Sequence, residues 1–469
     1  MRLSDTSRPI DDNMRKLLSA LLILFIISPL AALTCADLQS ALLQNNPDIL
    51  KARQEVSKAL LDVKDAKAGY TPTIDLTITG SYIANPIDPI RINLGDYIDT
   101  SAYGVRNDYI TLYEGQESMY YQFSLSLTQP VYTWGKLDNA VKLYQQVYEA
   151  RILQLQDASE KAVTELNTRV AALHYLLEIK EVLKEQVTIV SRLVELADDA
   201  MNNGMMLETQ ALSVKVQARQ LDVAVAQIDR QITLMMTELR NLTGLATLEA
   251  SDIEFDEASL DSLVAQLRES DYSLLSAKIL SDSRTTFRLL SALSEIASLT
   301  NRIAKGSVNW KPDVALVVNA DYTGSRLPLV ETDWYGKDDW SATITIALKT
   351  TVLDGGKAVR NVTRTETEME GAEIDIASAK AKVGSAMDES WTNLAVLGAQ
   401  IDYQEALGRQ LDAQSEVNRN LLDTGYGSES DFLQGQLERN NCTVEILKDR
   451  IELAAAAWTL MYLQGEVSL

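Results

Sequence analysis

Two stretches decide the fold, Phe123-Ser-Leu-Ser-Leu-Thr-Gln-Pro-Val-Tyr-Thr-Trp-Gly-Lys136 and Ile344-Thr-Ile-Ala-Leu-Lys-Thr-Thr-Val-Leu-Asp-Gly-Gly-Lys357. Each begins with alternating apolar and polar residues, the pattern of a β-strand, and ends at Gly-Lys. The two stretches lie 221 positions apart. A glycine follows each lysine after 68 residues, at Gly204 and at Gly425. Equal spacing in two diverged segments predicts an internal repeat.

Each copy of the repeat is predicted to contain a helix, two strands, a long helix, a glycine turn and a further helix. The first copy, 37–244, has predicted strands at 73–83 and 120–131, a long helix at 136–203 and a helix at 205–243. The second copy, 260–469, has predicted helices, strands at 313–323 and 341–352, a long helix at 357–424 and a helix at 428–466. The acidic stretch 245–259 has no helical period, so we predict a linker there.

The long helices set the scale of the molecule. A helix of 68 residues would be about 100 Å long, which is wider than a globular core. In the first long helix, apolar residues repeat at three- and four-residue spacings from Leu173 to Val194. In the second, small residues are frequent from Ala372 to Ala386. These patterns predict a coiled coil or a tube of helices.

The strands have the length and pattern of membrane strands. Each run is about 10–12 residues long, enough for a tilted strand to cross a bilayer. We expect six residues to face lipid: Phe123, Leu125, Leu127, Ile344, Ile346 and Leu348. Aromatic residues gather at the strand ends, as in an interfacial girdle. A soluble sheet packed on helices would alternate in the same way, so the pattern alone leaves both possibilities open.

If the strands span a membrane, the chain must oligomerise. Four strands per chain cannot enclose a water-filled lumen, and unpaired strand edges are not tolerated in lipid. Three copies would supply twelve strands, within the known range. The predicted fold class is therefore an α+β membrane protein, in which a long α-helical barrel joins a transmembrane β-barrel formed by an oligomer.

Composition excludes several classes of function. The 469 residues carry a net charge of −23, which argues against nucleic-acid binding. His174 is the only histidine, so zinc sites and histidine-based triads are not expected. The sequence contains no Gly-rich phosphate loop that ends in Lys-Ser or Lys-Thr. We therefore expect no enzyme, no catalytic residue, no cofactor and no metal.

The first 36 residues have the features of a signal peptide. Arg15 and Lys16 precede an apolar run from Leu17 to Leu33, and small residues follow at a possible cleavage site, 34–36. A membrane-anchoring first helix is the alternative, and lipidation at Cys35 is a weaker one. After cleavage, Cys442 would be the only cysteine left, so no intramolecular disulfide is expected.

Four segments carry a family resemblance: Asn45-Asn46-Pro47-Asp48, Ala66–Ile74, Leu127–Lys136 and Gly425–Leu433. Their order, doubled at a fixed spacing, resembles the TolC family of outer-membrane efflux proteins. The likeness extends over essentially the whole mature chain. It implies a homotrimeric channel in the cell outer membrane, with a helical extension across the periplasm.

The resemblance also implies partners and a mechanism. The channel would serve a tripartite efflux pump or a type I secretion system, as a passive duct for small molecules or polypeptides. Its helix tips would meet a periplasmic adaptor (membrane fusion) protein, which works with an inner-membrane pump. The residues implied at these tips are Gly204, Met205, Gly425 and Tyr426. Opening would occur at the same tips.

One residue is implied to form a gate. Family members close the tips with inward-pointing acidic residues six and nine positions after the second tip glycine. Asp431 matches the first position, whereas the second is occupied by Gln434. Alternatively, Asp431 is an ordinary solvated carboxylate. The alternative function for the whole chain is a periplasmic coiled-coil scaffold with a small soluble β-sheet.

Overall fold

The structure is a computed structural model, and it describes residues 33–94, 109–113, 115–308, 310–324 and 340–465. Most of the predicted signal peptide, 1–36, lies outside these residues. Its last residues are described, and Cys35 begins the first helix. Thr34 caps that helix in a capping box with Asp37, because each side chain accepts a hydrogen bond from the other's backbone amide.

Helices make up most of the described chain. They are α1 (Cys35–Asn45), α2 (Pro47–Ala68), α3 (Lys136–Asn202), α4 (Glu208–Thr243), α5 (Glu257–Glu269), α6 (Tyr272–Ile279), α7 (Thr285–Gly306), α8 (Lys357–Asp423) and α9 (Glu429–Gln464). Both α3 and α8 have 67 residues, and both α4 and α9 have 36. In the ranges that the structure describes, none of these helices is both long and apolar enough to cross a membrane.

The strands lie in two sheets. They are β1 (Thr73–Tyr82), β2 (Ile90–Asn93), β3 (Tyr109–Tyr113), β4 (Met119–Tyr132), β5 (Asp313–Gly324) and β6 (Trp340–Lys349). The larger sheet is antiparallel, in the order β1-β4-β5-β6. Strands β2 and β3 form a separate antiparallel pair between β1 and β4 in the chain, inside a segment that the strand pattern does not predict.

The predicted linker is shorter in the structure. Residues 245–259 were expected to be irregular, but α5 begins inside this range, at Glu257. Asp256 caps the helix by accepting a hydrogen bond from the backbone amide of Ser259. Its apolar residues Leu260, Val264 and Leu267 are buried at helical spacing, so α5 packs into the core.

The chain divides into two compact units. The first contains the described residues up to Val56, together with Arg151–Leu290 and the described residues from Asp375 onwards. The second contains Ser57–Ala150 and Ser291–Ile374, and therefore the larger sheet. Long helices such as α3 contribute residues to both units.

The first unit has two main apolar clusters. One joins α1, α3 and α4 through Leu38, Leu42, Leu166 and Leu239, all of which are fully buried. The other joins α3, α5, α6, α8 and α9, with Tyr175, Ile179, Ile279, Met387 and Leu460 among its buried members. Because each cluster draws on helices far apart in sequence, this core depends on tertiary contacts more than on local helix propensity.

A polar group is built into the second cluster. The hydroxyl of Tyr175 donates to Glu257 Oε1 at 3.4 Å, and Arg450 forms an ion pair with the same carboxylate. Burial raises the pKa of Tyr175 to about 12, against the opposing effect of Arg450. The group links α3, α5 and α9, and satisfies a phenol that would otherwise lie unpaired in the core.

Both strand-to-helix turns have the same backbone form. Before α3, Trp134 and Gly135 have φ of 55° and 75°; before α8, Gly355 and Gly356 have φ of 65° and 80°. Two successive left-handed residues therefore precede the lysine in each case. Three of these four residues are glycines, which adopt left-handed backbone angles readily, and Trp134 is the one that is not.

Leu239→Ala is expected to lower the free energy of unfolding by roughly 2 to 5 kcal/mol, because the side chain is fully buried among α1 and α3 residues. Leu234→Ala in the same helix is the matched control, because Leu234 is half exposed. We expect its effect to be under about 0.5 kcal/mol. Guanidinium unfolding in detergent, followed by helical circular dichroism, measures both. Equal shifts of the two variants would contradict the cluster around Leu239.

Candidate functional site

The first helical hairpin turns at Gly204, between α3 and α4. Gly204 has a φ of 71°, a conformation that favours glycine. Its amide donates to the carbonyl oxygen of Met201 at 3.0 Å, and the amide of Met205 donates to that of Ala200 at 2.8 Å. These bonds close the last turn of α3. The side chains of Met205 and Leu207 are 77% and 68% exposed, so the turn presents apolar surface to solvent.

The second hairpin turns at Gly425, between α8 and α9, in a similar way. Gly425 has a φ of 76°. The amides of Tyr426 and Gly427 both donate to the carbonyl oxygen of Leu421 at 2.9 Å. A Cβ atom at Gly427 would lie 2.7 Å from the backbone nitrogen of Leu422, so the turn also requires glycine there. Tyr426 is 89% exposed.

An ion pair joins the two hairpins close to their turns. Arg192 of α3 donates from Nε to Glu429 Oε1 at 2.8 Å and from Nη2 to Oε2 at 3.1 Å. Its Nη1 donates to Glu195 Oε2 at 2.9 Å. The hydrogen bond from Arg192 lowers the pKa of the Glu429 carboxyl, and the two carboxylates raise the pKa of Arg192.

The residues around this pair also connect three helices. Leu193 of α3 and Leu437 of α9 are buried against Val214 and Ala218 of α4. Lys215 Nζ lies 2.7 Å from Asp198 Oδ1, which ties α4 to α3. The two hairpins are therefore held together by apolar packing and by the ion pair between Arg192 and Glu429, while Lys215 and Asp198 brace the first hairpin itself.

Only one residue of this ion pair is recognisable from the local sequence. Glu429 is recognisable as an acidic residue in the first turn of α9, where it complements the helix dipole. Its partner Arg192 is 237 residues away, so no local pattern points to the pair.

Asp431 lies in the first turn of α9 with its side chain exposed. Among the residues described, the ion pairs do not include Asp431. Gln434 follows three residues later and is also exposed, on the same side of the helix. The single chain therefore presents both side chains to solvent.

The strand registers gather the apolar residues of the larger sheet on one face. The first row across the four strands is Ile74, Leu127, Val318 and Ile344; the second is Leu76, Leu125, Ala320 and Ala342; the third is Ile78, Phe123, Tyr322 and Trp340. Side chains alternate between faces, so Ile346 and Leu348 share this face with Ile344. The exposed fractions of Ile344, Ile346 and Leu348 are 77%, 71% and 67%, whereas Phe123 and Leu127 are partly buried.

The opposite face of the sheet is polar. Its rows include Asp75, Ser126, Asn319 and Thr343, and then Thr77, Ser124, Asp321 and Ser341. Ser126 Oγ lies 2.7 Å from Asn319 Oδ1, and Ser124 donates to the carboxylate of Asp321. The sheet thus separates an apolar face, which is most exposed along β1 and β6, from a polar face on which side-chain hydrogen bonds join β4 to β5.

Aromatic residues lie at both ends of the sheet. Where β4 ends and β5 begins, the ring of Trp134 lies 5.2 Å from that of Tyr132 and 5.7 Å from that of Trp310. Trp134 Nε1 also donates to the carbonyl oxygen of Pro312 at 2.9 Å. At the other end, Tyr322 and Trp340 have ring centroids 5.2 Å apart. Rings at both ends of an apolar face are typical of strands that cross a bilayer.

In the ranges that the structure describes, no cluster of three or more His, Cys, Asp or Glu side chains could hold a metal ion. His174 Nε2 lies 3.5 Å from Glu178 Oε1, and its ring packs 4.8 Å from Phe255 and 5.2 Å from Tyr175. These contacts are those of a packed helix residue.

Comparison with known proteins gives one family match and several solved structures of similar fold. Residues 38–245 match the family model described as outer membrane efflux protein. The outer membrane protein VceC of Vibrio cholerae has a TM-score of 0.70 at 17% identity, over 92% of this chain and 96% of VceC. The CmeC outer membrane channel of Campylobacter jejuni has a TM-score of 0.69 at 13% identity, over 92% and 85% of the two chains.

The open state of the MtrE outer membrane channel of Neisseria gonorrhoeae has a TM-score of 0.65 at 11% identity, over 92% of this chain and 88% of MtrE. Comparison with curated protein sequences gives no significant match. The family match and the shared helix-rich fold with its small sheet confirm the resemblance to the TolC family of outer-membrane efflux proteins.

Gly425→Ala is expected to lower the free energy of unfolding by about 1 kcal/mol, because alanine is strained at a φ of 76°. Gly435→Ala, inside α9, is the matched substitution. A Cβ atom there would meet only an ordinary contact with Asn418 at 3.7 Å, so we expect a gain of roughly 0.5 to 1 kcal/mol. Thermal unfolding in detergent compares the two. A loss of stability in both variants, or in neither, would contradict the turn geometry.

Proposed function

We propose that this chain, whose residues 38–245 match the outer membrane efflux protein family, is a subunit of an outer-membrane efflux channel. The observation that carries this proposal is the division of the sheet into an exposed apolar face and a polar face, across strands of 10 to 14 residues. A passive duct for small molecules or polypeptides needs these two faces and no bond chemistry.

Lipid would cover the apolar face. Ile344, Ile346 and Leu348 are each more than half exposed, which a face packed on helices would not leave. Among the described strands, the outer strands of the sheet, β1 and β6, each have one edge without a neighbour. Open edges are not tolerated in lipid, so neighbouring copies pair these edges. Three copies close a twelve-stranded barrel with the polar rows lining its lumen.

The helices would carry the duct through the periplasm. Each 67-residue helix is about 100 Å long. Apolar side chains such as Val359, Ile374 and Tyr403 on α8 are largely exposed in the single chain. Packing against the helices of neighbouring copies would bury them. The equal lengths of α3 and α8, and of α4 and α9, support an internal repeat whose two copies have helices of the same length.

The hairpin turns would contact the other components of the export apparatus. Met205, Leu207 and Tyr426 place large apolar side chains in solvent at turns that are otherwise polar. Exposed apolar groups at a helix tip are typical of a protein contact. We assign this contact to a periplasmic adaptor protein that works with an inner-membrane pump.

The same tips would form the gate. In a trimer, three Asp431 side chains would lie around one axis and attract cations. The ion pair between Arg192 and Glu429 holds the second hairpin to the first within each chain. Opening requires the hairpins to separate, so this pair favours the closed state.

Conductance tests the proposed function directly. Membranes would be fractionated, and the protein extracted in detergent and reconstituted into planar bilayers. We expect an outer-membrane fraction, a trimer and discrete channel openings. A protein recovered without detergent from the periplasmic fraction, with no conductance, would overturn the proposal and support the scaffold alternative.

Two lysine substitutions separate lipid-facing from lumen-facing residues. Ile346→Lys is expected to reduce assembled protein in the outer membrane, because a charge facing mid-bilayer lipid costs roughly 2 to 4 kcal/mol in such barrels. Thr345→Lys, one residue away on the polar face, is the control and should assemble normally. Heat-modified mobility of the trimer measures assembly. Equal loss in both variants would contradict the assignment of the faces.

Arg192→Gln is expected to increase spontaneous openings severalfold, because Glu429 loses its partner. The exchanged pair, Arg192→Glu with Glu429→Arg, should restore closure. Asp431→Ala should weaken block by cations, and exchanging Arg192 and Glu429 should not restore that block. A channel in which neither conductance nor cation block responds to Asp431→Ala would exclude a gate role for that residue.

The ion pair also predicts a pH dependence. The pKa of Glu429 is lowered in the folded chain, so the stability it adds is present above its ordinary value of 4.5 and is lost as pH falls through the lowered pKa. Openings should therefore stay rare from pH 7 down to pH 4.5 and rise only as the pH falls further and the carboxyl is protonated. In Arg192→Gln channels, this acid-induced increase should be absent.

A further inference from the structure

Three cations form one face at the start of α8. Lys357, Arg360 and Arg364 are spaced so that they share one side of the first two turns, and all three are exposed. Together with Asn361, Ala358 and Asp354, they line a cavity of about 490 Å³. Such clustering stands out in a chain with 43 basic and 66 acidic residues. We name Lys357, Arg360 and Arg364 the cationic face.

Within the described ranges, the charges of the cationic face have no carboxylate partner. Among the described residues, the ion pairs include none of the three side chains. Arg360 Nη1 donates only to the carbonyl oxygen of Gly355, at 2.9 Å. In contrast, Lys136, which begins α3, lies 2.6 Å from Asp313, and Lys305 lies 2.9 Å from Glu366.

The helix N-terminus itself is already occupied. Asp354 accepts hydrogen bonds from the amides of Gly356 at 2.8 Å, Lys357 at 3.2 Å and Ala358 at 2.8 Å. An anion would therefore meet the side chains of the cationic face, and not the free amides of the helix.

Exposed apolar residues directly precede the cationic face in the chain. After β6 ends at Lys349, Val352 and Leu353 are 85% and 87% exposed. They follow Ile346 and Leu348, which belong to the apolar face of the sheet. A short segment thus passes from exposed apolar strand residues, through two exposed apolar side chains, to three cations that have no ion-pair partner among the described residues.

We propose that the cationic face binds the phosphate of an anionic phospholipid whose acyl chains lie on Val352 and Leu353. Guanidinium groups bind phosphate oxygens in a bidentate way, and a lysine adds a compact charge. The sequence of apolar, then cationic side chains matches the boundary between acyl chains and headgroups. This inference rests on the proposed membrane-spanning role of the strands.

We favour lipid over a neighbouring copy as the occupant, because the occupant must supply both apolar groups to cover Val352 and Leu353 and an anion to pair with the cations. One phospholipid supplies both. Carboxylates of a second copy would pair with the cations but would leave the two apolar side chains in solvent. Free phosphate would likewise leave them uncovered.

Native mass spectrometry tests the proposal on the full-length protein. Delipidated protein in neutral detergent would be titrated with phosphatidylglycerol and, separately, with phosphatidylcholine of the same acyl chains. We expect retained phosphatidylglycerol and little phosphatidylcholine. The triple variant Lys357→Gln, Arg360→Gln, Arg364→Gln should lower the affinity for phosphatidylglycerol at least about tenfold, since each surface cation contributes about 1 kcal/mol.

Two further variants isolate the cause. Lys51→Gln, Lys184→Gln, Arg219→Gln makes the same change in charge at exposed sites elsewhere and should bind like the wild type. Val352→Ser with Leu353→Ser keeps the cations and should weaken lipid binding without creating affinity for inorganic phosphate.

Three outcomes would overturn the proposal. Equal retention of the two lipids, or displacement of phosphatidylglycerol by millimolar inorganic phosphate, would exclude a lipid headgroup site. Loss of the oligomer in the cationic-face variant, with lipid retention unchanged, would assign these cations to contacts between copies. Failure of the wild type to enter bilayers would instead refute the proposed function itself.

Discussion

The register between Leu127 and its two neighbours, Ile74 and Val318, is the constraint on which the sheet depends. Side chains alternate with a period of two, so a slip of one residue would move every apolar side chain of a strand to the polar face. All three strand pairs keep registers that agree from Thr73 to Tyr82 of β1, and the β4–β5 register shifts only between Pro130 and Tyr132. The surface chemistry of the sheet follows from that agreement and, in our proposal, so do the contact with lipid and the pairing with neighbouring copies.

The helical part depends on a different constraint, the position of its glycines. Gly204 and Gly425 take left-handed backbone angles that end α3 and α8 at corresponding places, and each turn leaves apolar side chains in solvent. Arg192 and Glu429 then join the hairpins over a distance of 237 residues. Turn chemistry sets where the hairpins end, whereas tertiary contacts decide how they are held.

Local chemistry explains what the sequence could predict. Gly-Lys and a glycine turn are local start and stop signals, so the sequence predicts long helices at 136–203 and 357–424. In the structure, α3 and α8 begin at the same residues and each end one residue earlier. By contrast, α5 begins inside the predicted linker. Its helix is stabilised by burial of Leu260 and Val264 in the core, which no short window of sequence reveals.

The two strand-to-helix junctions share a backbone turn but differ in how the lysine that follows it is used. Lys136 follows Trp134 and Gly135 and pairs with Asp313, so the first junction is braced within the chain. Lys357 follows two glycines, and its charge is joined by those of Arg360 and Arg364 instead of a carboxylate. An ion pair within the chain neutralises a surface cation, whereas a cation with no described carboxylate partner can bind a ligand. The same backbone turn therefore precedes an ion pair within the chain at Lys136 and, in our proposal, a lipid-binding face at Lys357.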